Sequence, residues 1–142
     1  MLKRKSDQVA ALKSVPLFSS MSDKNLKAVL AGCRQELYSP GQAIVTEGSP
    51  GGRFFLVIEG HARVQINGKT MRKLSAGDYF GEITVIDRGE RTATIVADSH
   101  VKALAMASWE FLAICEEDFK VAHKVMTGLC QRVRTLDKAA GQ

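Results

Sequence analysis

Short β-prone segments separated by turn residues fill the middle of this 142-residue chain, from Gln35 to Ala105. The dipeptide Asn67-Gly68 is the strongest turn signal, because a two-residue hairpin needs the left-handed backbone that these residues tolerate. Before it, His61 to Ile66 alternates between apolar and polar side chains, which is the period of a half-buried strand. Strands and helices do not alternate along the chain, which argues against a doubly wound parallel sheet. The pattern predicts a mainly β fold with flanking α: an eight-stranded antiparallel jelly-roll barrel.

The segments group into three regions. We predict a helical lead-in at residues 1–34, a β-barrel at 35–106 and C-terminal helices at 107–140, together one domain of 142 residues. In the lead-in, one helix is expected from Leu2 to Leu12 and a second after Ser22, whose hydroxyl suits an N-cap. The strands expected are Glu36 to Tyr38, Ala43 to Val45, Phe54 to Ile58, His61 to Ile66, Thr70 to Leu74, Thr94 to Val96 and Val101 to Ala105.

Composition limits the class of protein. Hydrophobic residues make up 45% and charged residues 25%, which is typical of a soluble globular protein. No apolar run approaches the roughly 18 residues of a membrane span, and no secretory signal is recognisable. Three isolated cysteines indicate a reducing, cytoplasmic setting, and the three histidines lack metal-ligand spacing. The net charge of +5 is spread over both ends of the chain, so nucleic acid is not the favoured partner.

The segment from Leu74 to Ala97 carries the chemistry. Gly81 precedes a short helix-compatible run, whose first backbone N–H groups would form an anion cradle. Glu82 at the mouth of that cradle would repel a bare phosphate but would suit a phosphate-bearing ligand with hydroxyl groups. Arg91, nine residues later, offers the bidentate guanidinium that phosphate prefers, and Thr92 adds a hydroxyl. This set predicts a sugar phosphate with one negative charge and one free hydroxyl, although Glu82 and Arg91 taken alone would also suit a surface ion pair.

Two motifs make the resemblance specific: Phe80-Gly81-Glu82-Ile83, and Arg91-Thr92-Ala93-Thr94 after a spacing of nine. Together they resemble the phosphate-binding cassette of the cyclic nucleotide-binding domain family, and the similarity extends from about Val15 to Leu136. The resemblance implies a non-catalytic sensor whose helical flanks change on ligand binding. It also implies the roles of the cassette residues. Glu82 would hold the ribose 2′-hydroxyl, Arg91 the exocyclic phosphate oxygens, and the backbone N–H groups of Gly81, Ile83 and Thr84 the rest of the phosphate.

The motifs say less about which residues contact the purine base and about whether that base is adenine or guanine. By position, Val64 and Met71 are the candidates for contact with the purine. In the family, a threonine after the phosphate-binding arginine is common in cyclic GMP binders, and bacterial-type cyclic AMP binders also place Ser or Thr there. Thr92 therefore leaves both ligands open, and cyclic AMP is favoured. The sequence departs from the family at Glu90, where proline is common, and at Arg53, where an acidic residue often contacts the cassette arginine.

The last helix offers an apolar stripe at helical spacing, which includes Val125, Leu129 and Leu136. Its first half is expected to pack on the barrel. The part from Leu129 to Leu136 would cap the purine or pair with a second copy in a homodimer, and both uses occur in the family. No output domain is recognisable, so the chain is either a stand-alone sensor acting on a protein partner or one piece of a longer protein. Two alternatives remain: a degenerate interaction module without ligand, and a cupin-type enzyme, which would need a histidine-rich metal site.

Overall fold

The computed structural model of the chain describes residues 5–141. It contains eight strands, five α-helices and one 3₁₀ helix within that range. The strands are β1 (Arg34–Tyr38), β2 (Ala43–Val45), β3 (Arg53–Glu59), β4 (Ala62–Ile66), β5 (Lys69–Leu74), β6 (Tyr79–Phe80), β7 (Thr94–Ala97) and β8 (Val101–Ala107). The helices are α1 (Lys5–Lys13), α2 (Asp23–Gly32), α3 (Glu82–Asp87), α4 (Ser108–Glu117) and α5 (Phe119–Ala140), with the 3₁₀ helix at Pro16–Phe18.

All strand pairings are antiparallel and form two four-stranded sheets. The first sheet has the order β1-β8-β3-β6 and the second the order β2-β7-β4-β5. This confirms the prediction of eight antiparallel strands with helices on both sides in sequence. Among the described residues, no pairing joins the two sheets into one closed barrel. The elements group into two compact units, one of residues 29–112 and one of residues 1–28 and 113–142.

The inward-facing apolar side chains of both sheets form the sheet core. The alternation of side chains along each strand accounts for most of its members. On β4, for example, Ala62 and Val64 are buried while Arg63 and Gln65 are only half-buried. The cluster comprises Phe55, Val57, Ala62, Val64, Leu74, Phe80, Ile95, Ala97, Val101, Ala103 and Ala105. This core fixes the two sheets that carry the site.

Strand β3 does not alternate, because it is covered on both faces. Phe55 belongs to the sheet core, whereas Phe54 stacks on Phe111 of α4 with a centroid separation of 4.0 Å. The continuous apolar run of the sequence therefore marks a strand without a solvent face. Strand β6 is only two residues long, and its shortness explains why no separate strand was predicted between Leu74 and Thr94.

The unit of terminal residues contains α1, the 3₁₀ helix, the first part of α2, the end of α4 and all of α5. The predicted N-cap is confirmed, because Ser22 Oγ accepts a hydrogen bond from the backbone N–H of Asn25 at 3.2 Å. Helix α5 likewise begins after a capping residue, since the side chain of Asp118 accepts a hydrogen bond from the backbone N–H of Lys120 at 3.0 Å. The start of the first helix predicted at Leu2 lies outside the described residues.

Candidate functional site

The turn that starts α3 depends on a glycine. Gly81 is the N-cap of this six-residue helix and has φ = 96°, a left-handed conformation that side chains rarely adopt. A Cβ atom at Gly81 would also lie 2.5 Å from the carbonyl oxygen of Arg53 and 3.0 Å from Nη1 of Arg91. The glycine therefore permits both the turn and the close approach of the arginine.

Arg91 is buried beside this turn, with only 8% of its surface exposed. Its Nη1 donates a hydrogen bond to Oγ1 of Thr84 at 2.9 Å, and its Nη2 donates to the carbonyl oxygen of Arg53 at 3.0 Å. Its backbone is fixed as well, because its N–H donates to the carbonyl of Ser49 and its carbonyl accepts from the N–H of Gly48. Two segments of the chain thus hold the guanidinium, and a third holds the backbone of Arg91.

Glu82 is the first residue of α3 and is 4% exposed, which is unusual for a carboxylate. Its charge raises the pKa of Arg91, so the two side chains lie within electrostatic reach of each other. Two larger effects oppose it: burial of the guanidinium and repulsion from Arg53 both lower the pKa of Arg91. The result is a cationic site whose charge is costly to bury and is favoured by a nearby anion.

A cavity of about 460 Å³ opens next to Arg91. Its walls come from β2, from the loop after it and from β3, and they include Ile44, Val45, Gly51, Gly52, Arg53 and Phe55. The Phe55 ring stacks on the Phe80 ring at a centroid distance of 4.9 Å. The guanidinium carbon of Arg91 lies 5.8 Å from the centroid of the Phe55 ring. An anionic ligand with an apolar part would find both kinds of surface here.

Sequence comparison places this geometry in a family. The profile described as "Cyclic nucleotide-binding domain" matches residues 35–118, which is more than half of the chain. The chain belongs to the cyclic nucleotide-binding domain family. The match covers the two sheets, the short helix α3 and both cassette motifs that the sequence analysis singled out.

Relatives of this cyclic nucleotide-binding domain support the assignment. A mouse potassium/sodium hyperpolarization-activated cyclic nucleotide-gated channel 3 is 32% identical over 124 residues, which cover 87% of this chain and 16% of the channel. The catabolite activator protein of Thermus thermophilus is 30% identical, with a TM-score of 0.78 over 88% of this chain and 61% of that one. The regulatory domain of Toxoplasma gondii protein kinase A, solved with cAMP, is 27% identical, with a TM-score of 0.79 over 90% of this chain and 50% of that one.

These relatives are longer than the chain described here, which spans about 16% of the channel's length. The family is one of binding and regulatory domains rather than enzymes, and the cupin-type alternative is set aside on that ground. Among residues 5–141, no group of three or more His, Cys, Asp or Glu side chains could hold a metal ion. In the same range, no helix has both the length and the apolar character needed to cross a membrane.

The remaining cassette residues of the domain lie around Arg91 in different environments. Thr84 is buried, and its hydroxyl also donates to the carbonyl of Gly81 at 3.2 Å. Phe80 is buried, Ile83 is half-buried, Thr92 is exposed and Ala93 packs partly buried against the sheet core.

The two purine candidates differ in burial. Val64 is buried in the sheet core, whereas Met71 is 52% exposed. The difference follows from the position of β5 at the edge of its sheet, where every residue except Leu74 is exposed. The pairing of β4 and β5 has a bulge at this point, since Arg72 pairs with Val64 and Thr70 pairs with Gln65. Met71 is the extra residue between them, and the β5 residue on the same face as Val64 is Arg72.

Sequence reasoning missed the cavity walls contributed by β2 and β3. Phe55 lies in a strand whose sequence indicates ordinary core, and Arg53 was noted only as a departure from the family. The preceding Gly51-Gly52 is the one local signal of a close approach. A Cβ atom at Gly51 would lie 2.2 Å from Cβ of Thr84, so this glycine lets the loop approach α3. Although position 53 carries no acidic side chain, its backbone carbonyl accepts a hydrogen bond from Nη2 of Arg91.

Proposed function

We propose that this domain is a sensor that binds cyclic AMP in preference to cyclic GMP in the cavity beside Arg91. The observation that carries the proposal is the buried Arg91, held by two hydrogen bonds at the wall of a cavity and accompanied by the buried Glu82. Burial of Arg91 and repulsion from Arg53 both oppose the charge of this guanidinium, so an anionic ligand in the cavity would stabilise it.

Arg91 would bind the exocyclic oxygens of the cyclic phosphate. A guanidinium has five N–H donors in a fixed plane, and the bonds to Thr84 and to the Arg53 carbonyl use two of them. Those two bonds orient the plane, and the remaining donors are available for phosphate oxygens. Binding an anion would also relieve the burial cost and the repulsion from Arg53 that lower the pKa of Arg91.

Glu82 would accept a hydrogen bond from the ribose 2′-hydroxyl, because an ionised carboxylate is an acceptor only. The backbone N–H groups of Gly81, Ile83 and Thr84 would complete the phosphate contacts, with Phe80 and Ala93 supporting the cassette. The exposed hydroxyl of Thr92 would be available to either purine nucleotide. The preference for cyclic AMP draws support from the Toxoplasma gondii relative, whose structure was solved with cAMP.

The purine would rest on β4 and β5, where Val64 and Met71 are the proposed contacts. The register adds Arg72 as the residue that shares a face with Val64. Val64 pairs with Ile95 of β7, the strand that follows Arg91. A purine on β4 and β5 would therefore leave the phosphate end of the ligand near Arg91.

The wider function follows from these contacts. We propose that residues 1–142 act as one regulatory domain in the cytoplasm, with helical flanks that change on ligand binding and report to an output domain or protein partner. Helix α5 exposes Met126, Val133 and Leu136 along one stripe, and we propose that Leu129 to Leu136 pairs with a second copy in a homodimer.

A thermal-shift screen tests the proposal most cheaply. The domain would be unfolded with cyclic AMP, cyclic GMP, linear 5′-AMP or buffer alone. We expect a concentration-dependent rise in Tm that is largest with cyclic AMP and smaller with cyclic GMP. A Tm unchanged by every nucleotide would favour the degenerate interaction module.

A further inference from the structure

A second guanidinium lies at the same cavity. The guanidinium carbon of Arg53 is 4.9 Å from the centroid of the Phe55 ring, and that of Arg91 is 5.8 Å from the same centroid. Both arginines line the cavity. Their mutual repulsion is one of the causes that lower the pKa of Arg91, so the two charges act on the same space.

Arg53 is held in place from outside the cavity. Its Nη1 donates to Oε2 of Glu36 at 2.6 Å, and the hydroxyl of Tyr38 donates to Oε1 of the same carboxylate. The hydrogen bond from Arg53 is the main cause that lowers the pKa of Glu36. Burial, and secondly the hydrogen bond to Glu36, raises the pKa of Tyr38 to about 12. The three side chains come from β1 and β3, which belong to the same sheet.

These contacts nevertheless leave part of the Arg53 side chain accessible to a ligand. The side chain is 43% exposed, and its two side-chain partners, one oxygen of Glu36 and the hydroxyl of Tyr38, leave some of the five N–H donors of the guanidinium unused. An ordinary surface ion pair between Arg53 and Glu36 would not require the guanidinium of Arg53 to lie over Phe55. Arg91, which is buried, already lies near that ring. Two guanidinium groups therefore lie near the same aromatic ring at one cavity.

We propose that Arg53 is a second cationic contact for the bound anion and raises the affinity for the phosphate-bearing ligand. In the free domain, the ion pair with Glu36 competes with this contact. The inference rests on the proposed function, because the ligand is taken to be the cyclic nucleotide at Arg91. Two effects follow. Removal of the Arg53 charge weakens binding and makes it less sensitive to salt, whereas removal of the Glu36 charge strengthens binding.

The test uses the whole chain and isothermal titration with cyclic AMP at several NaCl concentrations. The variants are Arg53→Gln, Arg53→Lys, Glu36→Gln and Arg91→Ala. We expect Arg53→Gln to weaken binding about tenfold, the equivalent of one charged hydrogen bond, and to flatten the salt dependence. We expect Arg53→Lys to bind within about threefold of wild type, because it keeps the charge. Glu36→Gln should bind several-fold more tightly, a gain that misfolding cannot produce.

The outcomes separate the two proposals. If wild type binds and Arg91→Ala does not, but Arg53→Gln matches wild type in affinity and salt dependence, the role of Arg53 is wrong and the proposed function stands. Weaker binding by Glu36→Gln, with its Tm unchanged, would likewise contradict the inference. If wild type binds no cyclic nucleotide, the proposed function fails and the inference fails with it. The backbone acceptor for Arg91 is the carbonyl of residue 53, which every one of these variants keeps.

Discussion

Arg91 donates a hydrogen bond from Nη1 to Oγ1 of Thr84 at 2.9 Å, and both side chains are buried. The bond joins the loop after α3 back to α3 itself, and the same hydroxyl donates to the carbonyl of Gly81. One threonine therefore links the start of the helix to the guanidinium. This contact makes the arrangement of the cassette testable without a ligand.

Removing that hydroxyl should release Arg91 while leaving the packing in place. Thr84→Val has a similar shape but leaves the guanidinium without this acceptor, so we expect the free energy of unfolding to fall by about 1–3 kcal/mol. Thr84→Ser keeps the hydroxyl and should unfold closer to wild type. Urea titration followed by circular dichroism measures both. A Thr84→Val variant as stable as wild type would show that the hydrogen bond contributes little.

Substitutions at Gly77 and Gly81 distinguish the cost of backbone strain from the cost of a steric clash. Gly81 and Gly77 both have φ = 96°, but a Cβ at Gly81 would lie 2.5 Å from the Arg53 carbonyl oxygen, whereas a Cβ at Gly77 meets nothing within 4 Å. Gly77→Ala should therefore cost only the strain of the left-handed backbone, about 1–2 kcal/mol. Gly81→Ala should cost more and should also weaken ligand binding, because the new methyl group crowds Arg91. Equal losses in Tm for the two variants would contradict this account.

Cysteine reactivity should follow burial and local charge. Burial, and secondly the charge of Glu110, raises the pKa of Cys33 to about 12, and burial also raises the pKa of Cys115, while Cys130 is exposed. Since the thiolate is the reactive form, iodoacetamide at pH 8 should label Cys130 first and Cys33 last. Peptide mapping by mass spectrometry gives the order, and labelling in denaturant is the control. Early labelling of Cys33 in the folded protein would contradict the described environment.

The proposed homodimer predicts a specific interface on α5. Leu136 is 65% exposed on the apolar stripe, and Leu136→Glu would place a charge within the proposed pairing surface. We expect sedimentation velocity to show a concentration-dependent dimer for wild type and a monomer for Leu136→Glu. Gln131→Glu adds the same charge at another exposed position of α5 and should still dimerise. A monomeric wild type at high concentration would contradict the dimer, although the binding site would be unaffected.

Much of the fold was predictable because turns and alternation mark strands locally. The hairpin at Asn67-Gly68 is confirmed, since β4 ends and β5 begins on either side of it. The face that each β5 residue presents was not predictable, because the bulge at Met71 shifts the register by one residue and reverses the side-chain orientation. No local pattern in the sequence indicates that bulge.

The candidate site shows the same division. Glu82 and Arg91 stand out because their spacing matches a motif, and the structure brings their charges within electrostatic reach. Phe55 carries no such mark, and Arg53 stood out only as a departure from the family, since the place of both at the cavity depends on how β3 pairs with its neighbours. The backbone carbonyl of residue 53 accepts a hydrogen bond from Arg91, and a pattern of side-chain types cannot predict a backbone acceptor.

The most direct test of the central claim is isothermal titration of cyclic AMP into wild type and Arg91→Ala, with Arg88→Asn as a matched control. Arg88 lies in the same loop and is exposed, and asparagine tolerates its left-handed φ of 60°, so this variant removes an equal charge outside the cavity. We expect Arg91→Ala to lose at least about a hundredfold in affinity, because at least two charged hydrogen bonds are lost. Arg88→Asn should bind like wild type. Unchanged affinity in Arg91→Ala, with the variant folded by circular dichroism, would contradict the account.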